Sequence, residues 1–262
     1  MGRGNGYIVG FATAVCLVCS IFVAGLAVAL KPLQEINKVI DRQEKVLAVV
    51  GLLDPDAHLS AAEVQALFDQ NIKARVVNLA DGTFVEGVDA KTFDQQKLLS
   101  DPATSTDALP NPAGVRRMPT QALVYALNDP QGNLEVLVLP VEGKGLWSTL
   151  YGYLALERDL NTVRGLTFYQ HGETPGLGGE VDNPRWKGLW PGRTLFDEKG
   201  MAVIEVVKGA AGPVATAPHK VDGLSGATLT SRGVTHLLQL WLGDKGFKPL
   251  LTNLAKEKGG KS

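Results

Sequence analysis

Residues 7–30 contain no charged side chain, and nearly every position in them is apolar or small. That run constrains the chain more than any other feature, because a bilayer core is spanned by a helix of about 20 such residues. It closes with Lys31 and Pro32. A secretory signal peptide is the rival reading: Ala27-Val28-Ala29 resembles a cleavage site, but the apolar region of such peptides is usually only about 7–15 residues. Both cysteines, Cys16 and Cys19, fall inside the run. On a helix they share a face, and with no further Cys or nearby His to complete a zinc site they read as small apolar residues at a helix–helix contact. The rest of the chain has no cysteine and can form no disulfide. Orientation is unsettled by charge. Arg3 and the amino terminus flank one end, and Lys31, Lys38, Arg42 and Lys45 flank the other. Counting positives puts the large domain in the cytoplasm, yet long domains cross largely regardless of charge.

The 262 residues suffice for one large domain or two small ones. A net charge of -1 and 6% aromatic residues give no reason to expect nucleic acid as a partner. Ile36, Val39, Ile40, Leu47 and Val50 recur at helical spacing, with Asp41 four before Lys45, which predicts a juxtamembrane helix ending near Gly51. Ser60 and Glu63 form a capping box for a second short helix. Residues 74–79 and 83–88 flank Asp81-Gly82, a hairpin signal. Residues 100–119, rich in Pro, Asp, Ser and Thr, read as a loop. Strand patterns follow at 122–127, 134–141, 151–157, 163–169 and 202–208, and helical patterns at 233–242 and 247–254. Short connections favour antiparallel pairing. The expected fold is α+β: an antiparallel sheet flanked by helices, preceded by one transmembrane helix. The expected organisation is an anchor at 1–32, a juxtamembrane helix and α/β accessory region at 33–120, a ligand-binding domain at 121–257 with its motifs at 143–231, and a frayed tail at 258–262.

Three segments hold too many special residues to be ordinary connections. They are Gly143-Lys-Gly-Leu-Trp-Ser-Thr-Leu-Tyr-Gly-Tyr153, His171-Gly-Glu-Thr-Pro-Gly-Leu-Gly-Gly-Glu180 with Asn183-Pro-Arg-Trp186, and Asp222-Gly-Leu-Ser-Gly-Ala-Thr-Leu-Thr-Ser231. In the third, Gly226 and Ala227 remove bulk, so a ligand can approach the backbone. Ser225, Thr228, Thr230 and Ser231 crowd hydroxyls where a helix begins, and a helix N-terminus receives phosphate readily. Plain helix capping explains the same cluster. A nucleophile elbow at Gly223-Leu-Ser225-Gly-Ala227 is disfavoured: Ala stands for the final Gly, and Pro213 and Pro218 occupy the stretch where a strand is needed. No Gly-x-Gly-x-x-Gly sits between a strand and a helix, which disfavours a dinucleotide fold.

Asp222-Gly-Leu-Ser225-Gly226-Ala227-Thr228 fits the pattern Asp-x-x-Ser/Thr-Gly-Ala-Thr, and so resembles FMN-binding domains flavinylated through a phosphoester to the last threonine. With the apolar run, the long insertion, Gly-Leu-Trp-Ser and Gly-Glu-Thr-Pro-Gly-Leu-Gly, nearly the whole chain resembles the C subunits of sodium-translocating NADH:quinone reductases. The G subunits of Rnf electron-transport complexes share the flavin motif and are the close rival. A membrane-tethered binding or sensory domain without flavin is the alternative from another class.

The resemblance implies covalent FMN on Thr228, attached from FAD by a flavin transferase with magnesium. Asp222 would belong to the pattern the transferase reads, and Ser225 would hydrogen-bond the phosphate beside Gly226 and Ala227. The loop bearing Glu173, Thr174 and Leu177 would approach the flavin ring, with Leu177 and Trp147 packing on it. Trp147 reads equally as core, and Glu173 could instead pair with Arg185. His171 reads as a turn residue, and His58, His219 and His236 show no metal spacing. The implied role is an electron relay between cofactors on neighbouring subunits of a bacterial inner-membrane complex, unable to oxidise NADH alone. The large domain would lie in the periplasm. Sodium transport would fall to other subunits, because one helix without ionisable groups is a poor ion path.

Overall fold

The computed structural model describes residues 4–54, 57, 59–108 and 110–259. Arg3, His58 and residues 260–262 of the expected tail lie outside them. The chain divides into two compact units, residues 1–42 and 43–262. The first helix, α1 (Asn5–Val50), runs through both and does not stop at Pro32. Anchor and juxtamembrane helix are therefore one element, because losing a single N–H donor at Pro32 does not outweigh the helical pattern on either side. Its most apolar 18-residue window has a mean hydropathy of 2.5 and no buried residue, and the helix is long and apolar enough to cross a membrane. It ends as expected at Gly51, whose φ is 85°. Leu52 N–H donates to Leu47 C=O and Gly51 N–H to Ala48 C=O, the double bond of a Schellman termination.

The second unit opens with α2 (Ala61–Asn71), whose Ser60–Glu63 capping box is present as expected. Then come β1 (Ile72–Asn78), α3 (Gln95–Leu98), β2 (Ser105–Asp107), β3 (Arg117–Pro119), β4 (Gln121–Asn128), β5 (Leu134–Lys144), β6 (Thr149–Glu157) and β7 (Val163–Gln170). A 3₁₀ turn (Gly178–Asp182), α4 (Pro184–Lys187), β8 (Glu205–Val206), β9 (Lys220–Val221), α5 (Thr228–Trp241) and α6 (Lys248–Gly259) complete it. The main sheet has the order β1-β4-β5-β6-β7, and every pair in it is antiparallel. The α+β expectation holds.

Alternation along the strands gives the sheet two apolar faces. On one, Leu137, Leu139, Val141, Leu150 and Leu154 share a core with Val234, Leu237, Leu238 and Trp241 of α5. Trp241 also donates its indole N–H to Glu142 C=O at 2.8 Å, which pins the far end of α5 to β5. On the other face, Phe68 of α2 meets Tyr125 edge-on at 5.8 Å, and Val49 of α1 closes on Gly165, where a Cβ would lie 3.1 Å from it.

Three sequence expectations need correction. Residues 83–88 follow the free edge of β1 only briefly: Asn78 N–H donates to Thr83 C=O and Val85 N–H to Val76 C=O around the Val77–Phe84 bridge, and Gly87, at φ 78°, then turns the chain away. Residues 100–119 are not wholly loop, since β2 and β3 pair within them. Of 202–208 only β8 is strand, and it pairs in parallel with β9; the Val206 N–H is taken by the Thr235 hydroxyl of α5 at 2.8 Å.

Glu142 on β5 is 8% exposed. Burial pushes its carboxyl up to about 7, against the single amide that the Gln96 side chain donates. The folded value exceeds the ordinary 4.5, so the protonated form favours the folded state. The stabilisation is full below about pH 4.5 and is lost as pH rises through about 7. Comparing chemical denaturation of the wild-type chain and Glu142→Gln at pH 5 and pH 8 should show the variant losing less stability, by on the order of 2–3 kcal/mol. Equal losses would contradict this account.

Candidate functional site

The three unusual segments meet. The first makes the turn between β5 and β6, the second follows β7, and the third leads into α5. What joins them is Glu173, 5% exposed. Its carboxylate accepts from the N–H groups of Leu146 (3.1 Å), Trp147 (2.9 Å) and Ser148 (3.1 Å) and from the Thr230 hydroxyl (2.7 Å). Burial pushes this carboxyl up, but the Thr230 hydroxyl and the three N–H groups outweigh burial and hold it below the ordinary value. Two glycines make room: a Cβ at Gly145 would sit 2.5 Å from Glu173 Oε1, and one at Gly178 2.6 Å from Thr230 Oγ1. A second tie runs through His171. Its Nδ1 accepts from Glu173 N–H and its Nε2 lies 2.7 Å from Asp182 Oδ2, so the network assigns the ring proton to Nε2. The Ser148 hydroxyl accepts from Gly172 N–H at 2.6 Å.

Thr228 is the first residue of α5, and the helix has no side-chain cap. Among the described residues, the N–H groups of Thr228, Leu229 and Thr230 find no acceptor within the chain. The hydroxyls of Thr228 and Ser225 are exposed and make no hydrogen bond to another described residue. Capping therefore does not account for the hydroxyl cluster. Two of its members do have structural work: Thr230 is buried against Glu173, and the Ser231 hydroxyl accepts from Leu224 N–H at 3.0 Å. Gly226 adopts φ 70°, a conformation costly to any residue with a Cβ, and a Cβ there would lie 2.9 Å from Leu177 Cδ2. Asp222 accepts from Ala211 N–H at 2.8 Å through Oδ1, and its C=O accepts from the Trp186 indole. Through these bonds it braces the segment.

A cleft of about 660 Å³ opens beside Thr228, within the ~300–1,000 Å³ range of small-molecule sites. Ser225, Gly226 and Thr228 form one wall, Arg232 and His236 continue it along α5, and residues 205–209 face them. Exposed apolar side chains surround the joined loops as a rim: Trp147 is 71% exposed, Leu229 54%, Leu146 47% and Leu177 44%. Trp147 is thus not core. Nor does Glu173 pair with Arg185; its carboxylate's bonds go to the β5–β6 turn and Thr230. Thr174 contributes its C=O, which accepts from Leu177 and Gly179 N–H, while its side chain is exposed. The arrangement suits a phosphate at the helix start and a flat apolar ring on the rim. Sequence reading passed over Arg232, whose spacing of four from Thr228 was a usable signal. It also passed over Lys208, which no local pattern marks.

A family model for the FMN-binding domain matches residues 145–243. The C subunit of the Na(+)-translocating NADH-quinone reductase of Pseudomonas aeruginosa is 54% identical over 249 residues, 94% of each chain. The protein of the same name from Yersinia pestis is 46% identical over 239 residues, 90% of this chain and 88% of that one. The crystal structure of Shewanella oneidensis NqrC aligns with a TM-score of 0.77 at 35% identity, covering 84% of this chain and 99% of the other. That of the C subunit from Parabacteroides distasonis gives 0.65 at 30% identity, covering 85% and 97%.

Replacing Glu173 by Ala strands four donors, each costing about 1–3 kcal/mol when left unsatisfied in a buried place. Water entering the opened site lowers that total, so the expected loss in denaturant is about 2–5 kcal/mol. Glu173→Gln, which keeps one carbonyl acceptor, should lose less. A Glu173→Ala chain as stable as the wild type would show that the carboxylate is not what joins the loops.

Proposed function

Because the chain belongs to the family of C subunits of Na(+)-translocating NADH-quinone reductases, we propose that it carries FMN covalently, through a phosphoester to the Thr228 hydroxyl, and relays electrons within such a complex. The observation that carries this reading is the unsatisfied start of α5: free N–H groups, an unengaged threonine hydroxyl and no competing cap. A phosphodiester there would accept from those N–H groups and meet the positive end of the helix dipole. Ser225, on the same cleft, would donate to it, and Gly226 and Ala227 would leave the backbone open to approach. Leu177 and Trp147, exposed on the rim, would pack against the flavin ring, and the loop of Glu173 and Thr174 would set its edge.

The flavin supplies the electron exchange; the chain supplies attachment, position and charge. Attachment keeps the cofactor in place whatever its redox state. No Cys set for an iron–sulfur cluster occurs beyond Cys16 and Cys19, so electrons would arrive from and leave to cofactors of other subunits. Residues 7–30 carry no ionisable group suited to an ion path, which leaves sodium movement to those subunits. We further propose that α1 anchors the chain in the bacterial inner membrane with the folded unit in the periplasm, where a flavin transferase completes it. Protease cleavage of that unit in intact spheroplasts tests the side.

The chain matured with a flavin transferase should show an intact mass increased by one FMN moiety and retain flavin fluorescence after denaturing electrophoresis. Thr228→Ala should abolish both signals. Fluorescence persisting in that variant would refute Thr228 as the attachment point.

A further inference from the structure

The cleft that Thr228 lines holds more positive charge than one phosphodiester neutralises. Arg232 and Lys208 stand on its two walls, and both are exposed. Among the described residues neither has a hydrogen-bond or ion-pair partner through its side chain. His236, also on the cleft, is likewise unpaired. The one carboxylate among the lining residues, Glu205, is engaged by Lys220 at 3.6 Å, and Asp222 is turned to Ala211. Arg232 lies four residues after Thr228 on the same helix face, about 6 Å along the axis. The positive end of the α5 dipole adds the same sign.

We infer that Lys208 and Arg232 set the reduction potential of the flavin carried on Thr228, holding it above the value it would have without them. This rests on the covalent attachment proposed above. A reduced flavin carries more negative charge than an oxidised one, so unpaired cations on the cleft that its tether enters favour the reduced form. The exchange is of electrons alone. An upstream redox centre donates, a downstream centre accepts, and no bond in this chain forms or breaks. Because both cations are exposed, mobile ions should screen their effect. A residue that only shaped the cleft would show no such salt dependence.

The test is a spectroelectrochemical titration of the full flavinylated chain in detergent, comparing the wild type with Lys208→Gln, Arg232→Gln, the double variant and Arg232→Lys. At low ionic strength, each glutamine variant should lower the reduced-to-oxidised ratio at fixed potential on the order of threefold. The double variant should lower it further, and Arg232→Lys should match the wild type. Near 1 M salt, where the screening length is about 3 Å, the differences should shrink. A flavinylated double variant with the wild-type potential at low salt would overturn the inference, as would Arg232→Lys shifting as far as Arg232→Gln. A wild-type chain that takes up no covalent flavin defeats the attachment reading and this inference together; flavin present with its potential unmoved defeats this inference alone.

Discussion

The Glu173 carboxylate accepts from three consecutive N–H groups of the β5–β6 turn and from one hydroxyl of α5, and so ties together segments that are otherwise only loops. Charged acceptors make hydrogen bonds roughly twice as strong as neutral ones, and here four donors share one carboxylate. That is enough to keep a carboxyl ionised at 5% exposure, where an unsatisfied one would take up a proton. The position of Leu146 and Trp147, the path of the loop carrying Leu177 and the first turn of α5 are all set by this group. Removing its charge loosens the site without touching the sheet.

Glu142, on β5, shows the opposite solution. It is comparably buried but receives a single amide, and its carboxyl moves up to about 7. Burial dominates at Glu142, which meets one donor, while four donors outweigh it at Glu173. Glu173 meets a turn whose N–H groups all point inward; Glu142 lies within a ladder whose N–H groups are already spent on pairing with β6. The start of α5 completes the pattern. Its donors are left over, and its neighbours on the cleft are cations without partners. Among the described residues, the start of α5 is left without acceptors beside a cleft lined by cations, where an anion can reach it.

Much of this was legible in the sequence, for physical reasons that differ by element. The apolar run, the Ser60–Glu63 box and the alternation in β4 to β7 are local patterns that need no partner to be read. So were Asp222 to Thr228, where glycine and hydroxyls stand before a helical repeat. What escaped reading depends on distant residues. The hairpin at Asp81-Gly82 closes over a single bridge, Val77 to Phe84, and the long partner of β1 is β4, some 45 residues further on. The parallel β8–β9 pair and the Thr235 bond to Val206 hold Lys208 on the cleft, and no window around Lys208 contains either. Trp147 reads as core by residue type but stands in solvent, because Glu173 captures its backbone and leaves its ring outside.

The glycine at position 233 fixes the azimuth of Thr228. A side chain there would collide with the carbonyl oxygen of Lys144, so only the bare face of the helix can lie against β5 at that height. Each residue of an α-helix advances about 100° around the axis. A slip of one position would therefore swing Thr228 a quarter-turn or more out of the cleft and press a bulkier residue onto the strand. One missing methyl group thus works as a keyway, aiming a hydroxyl more than a turn of helix away.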